Sequence, residues 1–95
     1  PMPGAFYLYP NYPNPFNPET HIRYELQQSS SVVLKIYNIL GQEVRTLVNT
    51  FQIAGAYTLV WDGKDDQDRQ LSSGAYICTL RSGGERQWRK MLLLK

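Results

Sequence analysis

Hydrophobic and polar residues alternate with a period of two along most of this chain, the pattern of strands that bury one face and expose the other. Ile22, Tyr24 and Leu26 share one face, and Arg23 and Glu25 the other. After a polar turn over 27–31, Val32, Leu34 and Ile36 alternate with Val33, Lys35 and Tyr37. The turn over 38–42 contains Gly41, which accepts a positive φ. Parity breaks over 44–51, where Val44 and Leu47 stand three apart, and a bulged strand and a short helical turn both fit. Tyr57, Leu59 and Trp61 alternate with Thr58 and Val60, the cleanest strand signal in the chain. A polar loop over 62–73 follows, and then Tyr76, Cys78 and Leu80 alternate with Ile77, Thr79 and Arg81. Gly83-Gly84 predicts a tight hairpin. The last segment, 87–95, sets Met91 and Leu93 against Lys90, Leu92 and Leu94.

No segment sustains a helical period. Short strands with frequent turn signals predict an all-β, immunoglobulin-like β-sandwich of about seven short antiparallel strands. Two sheets must bury apolar faces against each other, which places Tyr24, Leu34, Ile36, Leu59, Trp61, Tyr76 and Leu80 in the core. The 95 residues suffice for one domain. Its boundaries are read as 9–95, with 1–8 as a linker or chain edge, because Pro1-Met2-Pro3-Gly4 resembles a connector more than a structured start.

The segment from Tyr9 to Pro18 is different. Its prolines remove backbone donors and hold their neighbours extended, so it is neither helix nor central strand. A free linker has no use for Tyr9, Tyr12 and Phe16, and the aromatics predict a segment packed against the domain. Recognition of its PxxP spacing by a proline-binding module is a weaker reading.

Net charge is only +2, which gives no reason to expect a nucleic-acid partner. Its distribution is uneven, with five cations (Arg81, Arg86, Arg89, Lys90, Lys95) against Glu85 after position 80, and an excess of acids before it. A solvated terminal strand and a basic face offered to an acidic partner both fit. A lone Cys78 allows no internal disulfide, and no apolar run is long enough to span a membrane.

Chemistry-bearing residues are scarce. His21 has no ligand-spaced companion, the serines lack an activating base, and Cys78 falls in phase with Tyr76 and Leu80 as a buried, inert thiol. The loop Asp62, Asp65, Asp66, Asp68 is the one cluster with metal character, since Ca²⁺ favours several carboxylate oxygens on a flexible loop. It does not match the EF-hand pattern, and a solvated loop is the preferred reading, with no cofactor. Trp88 lies among charged residues and is a candidate for stacking on sugar rings, though an inward orientation fits as well.

Five runs together resemble one family. Tyr9-Pro10-Asn11, Asn14-Pro15-Phe16-Asn17-Pro18-Glu19-Thr20 and Ile22-Arg23-Tyr24-Glu25-Leu26 are similar to the opening of the type A C-terminal sorting domain of type IX secretion (the Por secretion system tail). The run from Val32 to Leu47, then Ala54-Gly55-Ala56-Tyr57 through Trp61-Asp62-Gly63, Leu71-Ser72-Ser73-Gly74-Ala75-Tyr76, and Arg89-Lys90-Met91-Leu92-Leu93-Leu94-Lys95 follow in that family's order. The immunoglobulin-like domain of the flagellar hook-capping protein is the near relative, sharing the Trp-Asp-Gly and Ser-Gly-x-Tyr elements. The resemblance implies a non-catalytic address module, carried behind enzyme or adhesin domains of a secreted or cell-surface protein of the Bacteroidota. That protein passes through the periplasm to the translocon, its shuttle and a sortase-like protease. It implies that Gly74, Tyr76, Lys90, Met91, Leu92, Leu93, Leu94 and Lys95 carry the signal. Asp68 departs from the family, which has glycine there. The terminal strand is expected at a sheet edge, open to strand addition by a receptor. The alternative function is a retained accessory module that stabilises an extracellular enzyme or binds glycan weakly.

Overall fold

A computed structural model describes residues 6–95. Its strands are β1 (Phe6–Leu8), β2 (Thr20–Leu26), β3 (Ser30–Asn38), β4 (Glu43–Gln52), β5 (Gly55–Trp61), β6 (Gly74–Ser82) and β7 (Glu85–Leu93). They form a three-stranded sheet, β1-β2-β5, facing a four-stranded sheet, β4-β3-β6-β7, with every neighbouring pair antiparallel. This is the all-β sandwich that the alternation predicts. The ambiguous region over 44–51 is a strand, β4, and no helical turn forms there. Its register against β3 shifts between Leu34 and Lys35 and again between Ile36 and Tyr37, so the extra residues are absorbed as bulges.

Two expectations need correction. Residues 6–8 of the expected linker are strand β1, paired with Leu26, Glu25 and Tyr24, and Phe6 and Leu8 are fully buried. Three residues give too short an alternation to register as a strand, and their placement comes from tertiary pairing. Residues 1–5 of that linker lie outside the described residues. Leu59 is half-buried and packs on the margin of the core, because β5 is the outermost strand of its sheet and is covered from one side only. The other six expected core residues are in the core, joined by Phe6, Leu8, Phe16, Ile22, Met91 and Leu93.

The polar tips of the inward aromatics all find acceptors. Tyr24 Oη donates to Gln52 Oε1 at 2.6 Å, Tyr76 Oη to the Ser72 carbonyl at 2.7 Å, and Trp61 Nε1 to the Lys64 carbonyl at 3.0 Å. Unpaired, each would cost about 1–3 kcal/mol. The Tyr76 bond to a carbonyl upstream is the corner device of immunoglobulin-like sandwiches.

Two open sheets leave four edges of unpaired backbone. At β1, the Leu8 amide donates to Gln87 Oε1 (2.7 Å), Gln87 Nε2 donates to the Phe6 carbonyl (2.8 Å), and Arg89 Nε donates to the Leu8 carbonyl (2.8 Å). Side chains of β7 thus close the edge of the opposite sheet. At β4, the Asp66 amide donates to the Val44 carbonyl at 3.0 Å and the Thr46 amide donates to Asp66 Oδ1 at 3.1 Å. Among the described residues nothing pairs with the outer edge of β5. Replacing Gln87 by Ala should destabilise the domain by about 1–3 kcal/mol, since it strips partners from the Leu8 amide and the Phe6 carbonyl together. Urea unfolding of Gln87→Ala beside Gln87→Glu checks this, the latter keeping the acceptor and losing only the donor.

Candidate functional site: the final strand and its clasp

The fourth edge belongs to β7, and the proline-rich segment covers it. Tyr12 and His21 exchange two backbone hydrogen bonds, at 3.0 and 2.8 Å, which lays the segment along β2. It then crosses to the other sheet. Asn14 Oδ1 accepts from the Leu92 amide (2.9 Å) while Asn14 Nδ2 donates to the Lys90 carbonyl (3.2 Å). The Phe16 amide donates to the Leu92 carbonyl and the Phe16 carbonyl accepts from the Leu94 amide, both at 2.9 Å. Phe16 pairs inward, and Pro15 beside it has no outward amide to offer. The segment therefore ends the sheet and does not extend it.

The separate sequence runs meet around this strand. The Phe16 ring lies 5.6 Å from Trp61, and Trp61 makes an edge-on contact at 5.6 Å with Tyr76. Gly63, with φ of 75°, sits so close that an added Cβ would fall 3.0 Å from Gln70 Nε2 and 3.4 Å from Leu93 Cδ2. The Lys95 amide donates to Ser73 Oγ at 2.9 Å.

The expected signal residues divide into two sets. Tyr76, Met91 and Leu93 are buried and serve the core. Gly74, Lys90 and Lys95 are exposed, as are Leu92 at 38 % and Leu94 at 53 %. The expectation of an open terminal edge is corrected: β7 is an edge strand, but from Lys90 to Leu94 its edge is already occupied by Asn14 and Phe16. Sequence reasoning missed Asn14, Gln87 and Arg89. For the last two the signal was present, since they share the inward parity of Met91 and Leu93 despite being polar.

The acidic loop is organised from within. Asp65 Oδ1 accepts from the Gln67 and Arg69 amides, both at 2.9 Å, and Asp65 Oδ2 accepts from Arg69 Nε at 3.1 Å. Asp62 Oδ1 accepts from the Lys64 amide, Asp66 serves β4, and Asp68 lies 3.8 Å from Lys64 Nζ. The four carboxylates face separate partners, and among the described residues no three His, Cys, Asp or Glu side chains converge as a metal cluster. Asp68 has φ of 65°, the left-handed conformation for which the resembling family keeps glycine. Burial pushes the Cys78 thiol up to about 12, as its inward phase predicts.

The FlgD Ig-like domain model matches residues 16–84. The chain belongs to that family. No curated protein matches. Among solved structures it is similar to FlgD of P. aeruginosa at 25 % identity and a TM-score of 0.61, over 78 % of this chain and 59 % of that one. It is also similar to dimeric latent PorU of Porphyromonas gingivalis (TM-score 0.71, 21 % identity) and to PorZ of the same organism (0.63, 15 %). Each of these covers 96 % of this chain, which spans only 10 % of PorU and 12 % of PorZ. PorZ is described as an essential surface component of the type IX secretion system. The kinship with the hook-capping domain read from Trp61-Asp62-Gly63 and Ser73-Gly74-Ala75-Tyr76 is thereby established.

Two outcomes follow from the site geometry. Asn14→Ala removes both side-chain bonds to β7 and should cost about 1 kcal/mol by chemical denaturation, with faster amide exchange confined to Leu92. The Asp65 carboxyl is held below the usual range, chiefly by the Arg69 amide, then by the Gln67 amide and the Arg69 charge. A lowered folded value means that its stabilisation is complete above the ordinary carboxylate pKa of about 3.9 and fades as pH falls through the lowered one. Asp65→Asn should therefore flatten the acid limb of stability against pH, read from thermal melts between neutral and strongly acidic buffers.

Proposed function

We propose that this domain is a non-catalytic C-terminal sorting signal that directs a larger cargo protein across the outer membrane by the type IX system. The observation that carries this reading is the division of β7. Met91 and Leu93 anchor the strand in the core, while Lys90, Leu92, Leu94 and Lys95 present a basic and apolar outer surface. Three other motif runs of the resembling family reach that strand or the residues just after it, through Phe16, Gly63 and Ser73. The likeness of fold to PorZ, named as a surface component of the type IX system, supports the same direction. The partners are then the translocon, its shuttle and a sortase-like protease, with export through the periplasm to the medium or the cell surface. Because the clasp occupies the β7 edge, recognition in the folded state proceeds through these exposed side chains and not through an added strand.

A reporter fused ahead of this domain, in a bacterium with a type IX system, provides the test. The combined variant Lys90→Gln, Leu92→Ser, Leu94→Ser, Lys95→Gln should abolish or strongly reduce export, while its melting temperature stays close to that of the parent because all four side chains are exposed. Normal export of that stable variant would overturn the reading.

A further inference from the structure

The outer face of the four-stranded sheet carries a pattern that the core does not require. Arg86, Trp88 and Lys90 stand at alternate positions of β7, opposite in phase to the buried Met91 and Leu93, so all three project outward from one row. Trp88 is 59 % exposed, although it is the kind of residue a sandwich normally buries. Across from this row, β6 presents Ile77 opposite Lys90, Thr79 opposite Trp88, and Arg81 opposite Arg86. Tyr37 of β3 continues the row through Ile77. Apart from Arg81, which stands beside its end opposite Arg86, these residues line a shallow trough along the strands together with Ile39 and Gly41.

Charge decides what fits it. Arg81 and Arg86 are directly opposed on one face, a like-charge cross-strand pair that weakens a sheet. Neither they nor Lys90 has an acidic partner at ion-pair distance among the described residues, whereas Lys35 on the same face is paired with Glu43 at 3.0 Å. Arg86 and Lys90 are four strand residues apart, roughly 13 Å, with the indole between them. The face, as distinct from the strand edge, presents side chains and no backbone groups, so it offers a ligand a ring surface and cations. A polypeptide strand would find no backbone ladder on it. A linear chain of rings with carboxylates at intervals would find both contacts it needs: aromatic stacking at the centre and charge-assisted hydrogen bonds at the ends.

We propose that this trough binds a linear acidic polysaccharide, with a uronate-type carboxylate on the Arg81–Arg86 pair, a second on Lys90, and a sugar ring stacked on Trp88. The site is independent of the export reading, since it can be assayed on the isolated domain, which has its own core.

The test uses oligogalacturonate, with its fully methyl-esterified counterpart and polyglutamate as comparators, followed by calorimetry and by the fluorescence of Trp88, Trp61 being buried. Oligogalacturonate should bind and shift the exposed indole's emission, and its affinity should fall steeply with added salt. Trp88→Ala should weaken it about fivefold, the size of one lost stacking contact, and Trp88→Phe should restore part of that. Arg81→Gln with Arg86→Gln should abolish most of the salt dependence. Equal binding of the esterified chain would overturn the proposal, as would no binding of oligogalacturonate. Polyglutamate binding as tightly, with no effect of Trp88→Ala, would overturn it in favour of an acidic protein partner.

Discussion

The constraint on which this fold depends is the disposal of sheet edges. A sandwich of two open sheets cannot close on itself as a barrel does, and each outermost strand leaves a row of donors and acceptors without partners. In a domain this small those rows are a large part of the structure. Two of them meet at one side, where β1 and β7 lie close, and there the chain closes both with little extra length. Gln87 and Arg89 reach across from β7 to the backbone of β1, while Asn14 and Phe16 return from the far end of the sequence to cover β7. The ends of the domain are thereby bound to each other, and the two sheets are joined by hydrogen bonds as well as by apolar contact.

The same closure determines how the final strand can be read. A strand with a bare edge invites pairing with any extended chain, whatever that chain's sequence. With its edge covered from Lys90 to Leu94, the last part of β7 presents its outward side chains as a distinguishing surface. Burial of Met91 and Leu93 fixes the register of those side chains, because a slip of one residue would exchange the two faces. The buried residues thus hold the exposed ones in place. This accounts for the presence of both buried and exposed positions in the terminal run.

The alternation of apolar residues made most of the fold legible: the sheet class, the strand pairs around both glycine turns, and six of the seven residues expected in the core, which the structure enlarges. Such local signals say nothing about partners remote in sequence. Phe6–Leu8 is too short to show a period and becomes a strand because β2 has an edge to fill. Asn14 reads as a turn former before proline, and its two bonds to β7 span 76 and 78 residues. Gln87 and Arg89 could have been found as polar residues in an inward phase, a mismatch that marks a site where backbone groups need satisfying. In the acidic loop, composition left two readings open, a solvated loop, the preferred one, and a cation site. Asp65 spends its oxygens on the loop's own amides and on Arg69.

Edge protection also explains the contrast between the two sides of the molecule. On the β1–β7 side every local device is polar and specific. On the other side β4 is shielded by its bulges and by Asp66, and β5 has no pairing beyond β2 among the described residues. β5 pairs with β2 over seven residues without a bulge, carries no charge, and turns Ala56, Thr58 and Val60 outward. A strand of that composition invites pairing at an edge, because nothing in its own sequence resists it. The chain thus concentrates its polar edge contacts on the side where β7 and its basic face lie. The outer edge of β5 carries no comparable device among the described residues.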